Sequence, residues 1–256
     1  MDILAELNPA QAEAVTHGEG PLLVLAGPGS GKTRVITHRI AYLINICGVR
    51  PHNIMAVTFT NKAANEMRER LERLVPGQVA GLTLGTFHAI CARLLRREGT
   101  AIGLDSDFVI YDDSDQQTMV KRILKEMNLD DKMYRPSAIQ AHISAAKSEL
   151  RGPFEYAEYA SSYLEEVISR VYRRYQELLA ENRALDFDDL LMTTVRLFRE
   201  RPELLEKYQS RYVQILVDEF QDTNRAQYVI VKQLAGKHRN ICVVGDEDQS
   251  IYSWRG

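Results

Sequence analysis

An apolar run that breaks into glycines and ends on a lysine and a threonine, LVLAGPGSGKT from Leu23 to Thr33, restricts this chain more than any other stretch. The apolar part reads as a short buried strand. Lys32 opens a periodic stretch, KTRVITHRIAYLI, whose Val35, Ile36, Ile40, Leu43 and Ile44 share one helical face. Ala26, Gly27, Pro28, Gly29, Ser30 and Gly31 therefore form a loop between strand and helix. At such a junction backbone N–H groups point outward, the helix dipole adds positive potential, and glycine lets the main chain close around an anion. Phosphate is the natural guest: Lys32 would reach the β- and γ-phosphates and the Thr33 hydroxyl would ligate Mg2+. The strict pattern has glycine where this chain has Ala26, so only the relaxed form is met. A glycine-rich turn without a ligand is the alternative.

Four apolar runs, PLLVLAG, NIMAVTFT, VQILVDEF and NICVVGDED, read as strands of a buried parallel sheet, and the first three are followed by amphipathic helices. GLTLGTF supplies a further strand, leading into HAICARLLRREG. The helices NKAANEMRERLERL and NRAQYVIVKQLAG each open on an asparagine suited to capping and close near Pro76 and Gly236. This alternation predicts a doubly wound α/β domain. From about Asp107 to Asp189 the β-branched runs vanish and helices follow one another, which predicts an inserted all-helical subdomain. Its longest helix, YLEEVISRVYRRYQELLAEN, carries Leu164, Ile168, Val171, Tyr175 and Leu178 as a stripe suited to a core. The segments are thus 1–106, 107–186 and 187–256. IYSWRG ends without a terminal helix or polar tail, which reads as a cut from something longer.

At 45% hydrophobic and 26% charged residues the composition is that of a soluble globular protein. No apolar run reaches the length of a membrane span, and MDILAELNPAQ lacks the flank of a secretory signal. Cys47, Cys91 and Cys242 are odd in number and far apart, which suits reduced thiols in a cytoplasmic protein. The net charge of −3 speaks against gripping nucleic acid through bulk positive charge, though not against a local groove. The basic clusters RERLERL, ARLLRREG and SRVYRRYQ are spaced like solvated helix faces.

In QILVDEFQDT a strand ends in adjacent carboxylates, Asp218 and Glu219. Beside a phosphate loop, the first would hold magnesium and the second would accept a proton from attacking water. VVGDEDQSIYSWRG would deliver Asp246, Asp248 and Gln249 to the same sheet edge, with Gln249 placed to bond a γ-phosphate or orient water. Tyr252 and Trp254 follow, and either ordinary packing or stacking on unpaired bases accounts for such rings.

In this order the segments resemble superfamily 1 DNA helicases of the UvrD, Rep and PcrA type, over nearly the whole chain. LNPAQAEAV is similar to the family's adenine-sensing motif, AGPGSGKT to motif I, VTFTNKAANEMRERL to motif Ia and GTFHAICARLLR to motif Ib. LVDEFQDTNRAQ is similar to motif II, VVGDEDQSIYSWRG to motif III, and LDFDDLL to a segment after the inserted subdomain. TFTNKAA and DQSIYSWRG are the most specific of these. The resemblance implies a RecA-like P-loop NTPase fold, with Gln11 reading adenine and Arg34 in the nucleotide pocket. It also implies that Phe59, Tyr252 and Trp254 contact bases of a single strand, with Asn61, Thr86 and His88 along its backbone. The implied activity is ATP hydrolysis coupled to 3′ to 5′ movement on single-stranded DNA, and the inserted helices would meet the duplex at a junction. A second RecA-like domain of the parent chain would supply arginines across the cleft, so slow hydrolysis by these residues alone is expected. Rival readings are the motor part of a helicase-nuclease subunit, a nucleotide-kinase-like phosphotransferase, and a binding module without turnover.

Overall fold

A computed structural model describes residues 3–246. The first elements are α1 (Pro9–Thr16), β1 (Leu22–Leu25), α2 (Lys32–Asn45), β2 (Ile54–Thr58), α3 (Asn61–Leu74), β3 (Thr83–Thr86) and α4 (Phe87–Glu98). They continue as β4 (Val109–Tyr111), α5 (Asp113–Glu126), α6 (Pro136–Ser148), α7 (Pro153–Tyr159), α8 (Tyr163–Glu181), β5 (Ala184–Asp186) and α9 (Phe187–Glu200). The last are α10 (Pro202–Arg211), β6 (Gln214–Val217), α11 (Arg225–Ala235) and β7 (Ile241–Gly245).

Two compact units divide these elements. One takes residues up to Ile90, Arg201–Thr223 and the chain from Gln227, and the other takes Cys91–Glu200 with Asn224–Ala226. The first holds a five-stranded sheet in the order β1-β7-β6-β2-β3, parallel throughout. The central strands β2 and β6 are buried along their whole length, which is why they read as unbroken apolar runs. Ile36, Ile40, Ile54, Met67, Leu71 and Leu216 belong to the core formed where α2 and α3 pack on the sheet. Strand β1 departs from the fully buried strand expected: it is a sheet edge, with Leu22 and Val24 packed on the core while Leu23 and Leu25 are 59% and 52% exposed. An apolar run reports that a strand is hydrophobic, not how many neighbours cover it.

Helix α3 is capped by Thr60, whose hydroxyl accepts from the Ala63 N–H at 3.1 Å, and Asn61 is the first helical residue rather than the cap. Either side chain can cap, so only the backbone, extended at Thr60, settles which one does.

The second unit extends beyond the 107–186 read from the sequence. It is helical except for a two-stranded parallel ribbon in which Ile110 pairs with Leu185. Three residues per strand are too few for a visible alternation. Its core includes Val120, Ile123, Ile143, Ile168, Val171, Tyr172, Tyr175 and Leu178, so the stripe on α8 is core as expected, except that Leu164 is 46% exposed.

Candidate functional site

Because all five strands run parallel, their carboxyl ends share one edge, where open α/β sheets bind ligands. Strand register fixes what arrives there. Leu25 pairs with Gly245, so the glycine loop leaves β1 beside Asp246, and Val217 pairs with Val243, so Asp218 and Glu219 follow on the next strand. Strands β2 and β3 bring Phe59 and Thr86 to the same edge, since Thr58 and Thr86 are register partners. Gln249, Tyr252 and Trp254, like Asp248, lie outside the described residues.

The loop has the shape its glycines allow. Gly29 and Gly31 take positive φ of +73° and +90°, and a Cβ on Gly31 would sit 2.9 Å from the Gln11 amide nitrogen. Gly31 caps α2 without a side-chain bond, so the first-turn N–H groups of α2 face the loop without a side-chain partner at the cap. The Ser30 hydroxyl donates to the Gly27 carbonyl at 2.6 Å, and the Gln11 Nε2 donates to the Ser30 carbonyl at 2.9 Å. Lys32 is buried: its Nζ donates to Asp246 Oδ2 at 2.8 Å and to the Ala26 carbonyl at 3.2 Å. The contact with Lys32 runs through the Ala26 backbone carbonyl, which alanine supplies as glycine would. Arg34, in the first turn of α2, pairs with Glu6 at 2.6 Å and lines a cavity of about 580 Å³ with Thr37, His38, Arg70 and Arg73.

The Thr33 hydroxyl donates to Asp218 Oδ2 at 3.4 Å. Two hard oxygen donors thus converge from different elements, as a magnesium ion requires. Burial, with the Glu219 charge adding, pushes the Asp218 carboxyl up to about 6, although the Thr33 hydroxyl and the Lys32 charge pull the other way. Among the described residues no group of three His, Cys, Asp or Glu side chains could hold a metal by itself. A bound ion would therefore share these two oxygens with phosphate and water, the usual coordination of Mg2+. Loop, lysine and oxygen pair all fit a nucleotide-magnesium guest.

Glu219 adopts the left-handed region, φ +47°, uncommon for a residue with a Cβ. Its carboxylate accepts from Gln221 Nε2 at 2.7 Å, and the Gln221 Oε1 accepts from the Asp246 N–H at 3.1 Å. Gln221 therefore ties the acidic turn after β6 to the exit of β7. Sequence reasoning missed it, although its place two residues after the acidic pair was visible. It missed the cavity arginines Arg70 and Arg73 as well, which read as a solvated helix face.

Toward β2 and β3, Phe59 packs edge-on against Phe87 with ring centroids 6.0 Å apart. Asn61 is exposed at the start of α3. Thr86 is buried and its hydroxyl accepts from the Ala89 N–H at 3.2 Å, so it caps α4. His88 is half-buried, and burial lowers its pKa.

A parallel sheet with a glycine loop after β1 and paired acids after β6, one strand removed across β7, defines a P-loop α/β domain. The chain belongs to the UvrD/REP helicase N-terminal domain family, whose model matches residues 7–256. It is 54% identical over 254 residues to the ATP-dependent DNA helicase PcrA of Bacillus subtilis, covering 99% of this chain and 34% of that protein. The proteins of the same name from Staphylococcus aureus and Staphylococcus epidermidis are 51% and 50% identical over 99% of this chain and 35% of their own length. The chain thus spans about a third of the length of the curated relatives it matches.

Proposed function

We propose that this chain is the ATP-binding motor domain of a 3′ to 5′ DNA helicase, in which nucleotide hydrolysis drives movement along single-stranded DNA. The observation that carries this reading is the arrangement along one sheet edge. Lys32, Thr33, Asp218 and Glu219 gather at β1 and β6, while Phe59, Thr86 and His88 stand at β2 and β3 of the same sheet. Nucleotide chemistry and strand contact would then share one rigid layer.

In this reading the loop Ala26–Gly31 and Lys32 hold the β- and γ-phosphates, Gln11 faces the base, Arg34 belongs to the nucleotide pocket, and Thr33 with Asp218 hold Mg2+. Bound magnesium would neutralise charge on the transferring phosphoryl group. Glu219 accepts the proton of the attacking water, and Gln221 fixes its carboxylate in the left-handed turn. Gln249 contributes at the γ-phosphate, and Tyr252 and Trp254 join Phe59 on the bases, with Asn61, Thr86 and His88 along the strand. The helical unit meets the single-strand to duplex junction, and a second RecA-like domain of the same parent chain closes the opposite wall. A cytoplasmic setting accords with three free thiols, two of them buried. Among the described residues no helix is long and apolar enough to cross a membrane.

The test pairs two measurements. Glu219→Gln is expected to keep magnesium-dependent affinity for a fluorescent ATP analogue and to remove oligo-dT-dependent hydrolysis in the full-length protein. Phe59→Ala is expected to weaken oligo-dT binding by roughly 1–3 kcal/mol. Undiminished turnover in the first variant would mean that another group is the base.

A further inference from the structure

Arg39 heads the fully buried large side chains of the described residues, and its partners are all backbone carbonyls of one short segment. It lies on α2, roughly two helical turns beyond Lys32. Its Nη1 donates to the carbonyls of Ala14 at 3.1 Å, Val15 at 3.2 Å and His17 at 2.8 Å, and its Nη2 reaches that of Gly18 at 3.4 Å. These are the carboxyl end of α1 and the chain just beyond it. Helix α1 has eight residues, a length that does not hold itself in water, and Val15 is its one buried side chain. Its last carbonyls lack intrahelical partners, and its last turn carries no basic residue. Arg39 supplies both the donors and the positive charge that this end requires. The neighbouring His38 Nδ1 is hydrogen-bonded to the Ile3 carbonyl at 2.7 Å, so α2 grips the amino-terminal segment at two points.

The other end of α1 reaches the phosphate loop. Asn8 and Gln11 form a capping box in which the Gln11 N–H donates to Asn8 Oδ1 at 2.8 Å and the Asn8 N–H donates to Gln11 Oε1 at 3.1 Å. The remaining polar group of that side chain, Nε2, donates to the Ser30 carbonyl at 2.9 Å. The Gln11 amide is thus fixed between its own helix and the loop, and any movement of α1 carries it along. One helix, α2, therefore presents Lys32 to the phosphates from its first turn and sets the position of Gln11 from its middle, through α1.

We propose that Arg39 is a positioning residue for recognition of the base: it locks α1 in the register that aligns Gln11 with the loop, and so sets the preference for adenine nucleotide over bare phosphate chains. This rests on the reading of Gln11 as the residue that faces the base. Lysine at position 39 keeps the charge but presents one ammonium where four carbonyls are bridged by a planar fork.

The experiment measures, on the whole chain with magnesium, the affinities for ATP and for inorganic tripolyphosphate. Arg39→Lys is expected to weaken ATP binding roughly five- to tenfold, the range of one lost hydrogen bond, and to leave tripolyphosphate within about twofold. In a Gln11→Ala background the same substitution is expected to change neither. Equal loss for both ligands, or no loss for ATP, overturns the proposal. Gln11→Ala that keeps the preference for ATP overturns the base-reading role and this inference with it, whereas Gln11→Ala that erases the preference while Arg39→Lys retains it overturns the inference alone. Native-state hydrogen exchange on the unaltered chain needs no variant to fold: α1 amides opening together with those of α2 support the clamp, and α1 exchanging freely while α2 is protected overturns it.

Discussion

Each compact unit buries a lysine against carboxylate, and the two lysines differ in what else surrounds them. Lys32 meets one carboxylate, Asp246, and the Ala26 carbonyl, at the mouth of a loop whose glycines leave room for an anion. Lys147 is wholly buried between Asp186 at 2.6 Å and Asp189 at 2.8 Å. Tyr175 donates to Asp186 at 2.9 Å, Gln176 donates to Asp189 at 3.1 Å, and the rings of Tyr172 and Tyr175 lie 5.8 and 5.0 Å from the ammonium. Burial alone would lower the Lys147 pKa, yet Asp189 and Asp186 together hold it above the ordinary lysine range. Burial likewise opposes ionisation of Asp186, and Lys147 outweighs it, so that carboxyl is held below its usual range. One ion pair is enclosed on every side by the unit it braces; the other stands beside a glycine loop. Burial of a lysine therefore does not mark a site, and the conformation of the backbone around it does.

The largest expected effect breaks the enclosed member. Lys147→Ala leaves two buried aspartates without their cation and is expected to cost about 3–5 kcal/mol, read by urea denaturation followed by circular dichroism. Next comes Lys32→Ala, whose main effect should lie in binding: affinity for magnesium-ATP is expected to fall roughly ten- to a hundredfold, the range of a lost charge-assisted hydrogen bond. If Lys32→Ala proved the more destabilised of the two while still binding nucleotide normally, the contrast between them would be reversed. Gly31→Ala sharpens it at smaller scale. A methyl group there meets the Gln11 amide at 2.9 Å in a left-handed backbone, so a loss of about 1–2 kcal/mol in stability is expected, together with weaker ATP binding.

Local rules reached the loop and the sheet but not the pairings between distant residues. Strands β2 and β6 declared themselves because both faces are covered, which forces an uninterrupted apolar run. The glycine loop was legible because left-handed backbone at Gly29 and Gly31 demands that residue type. The burial of β1 was not legible: Leu23 and Leu25 look as hydrophobic as Ala56 and Val57, yet they lie on the exposed face of an edge strand whose other face packs on the core. Nothing in the sequence singled out Arg39, because its acceptors are carbonyls more than twenty residues earlier and carbonyls have no sequence signature. LDFDDLL stood out only as a segment resembling the family's, and nothing local linked its Asp186 and Asp189 to Lys147, 39 residues before Asp186. Gln221 joins two strand ends through its amide, a contact that depends on which strands are neighbours.

An effect of similar size separates two carboxyls that are close neighbours in the same cluster. Asp188 is half-buried, and burial pushes its carboxyl up to about 6, with the Asp186 charge adding, although a hydrogen bond with Ser144 pulls the other way. An unfolded aspartate titrates near 3.9, so between about pH 4 and 6 the folded state binds the extra proton. Stability from this group is then fully present below about pH 4 and is lost as the pH rises through about 6. Asp186 has the opposite sign: its folded pKa is depressed by Lys147, so its contribution is present above the unfolded value and lost as the pH falls through the folded one. Asn at position 188 imitates the neutral acid at every pH. Asp188→Asn is therefore expected to be more stable than the parent at pH 7.5 by about 1–2 kcal/mol, a figure reduced for partial exposure, and to converge with it near pH 4. Asp186→Asn should lose stability at pH 7.5 and approach the parent only in acid. Urea melts of the three proteins from pH 4 to 8 check both signs. A pH-independent difference for Asp188→Asn would show that its burial is not what raises its pKa, and that Lys147 neutralises the whole cluster and not Asp186 first.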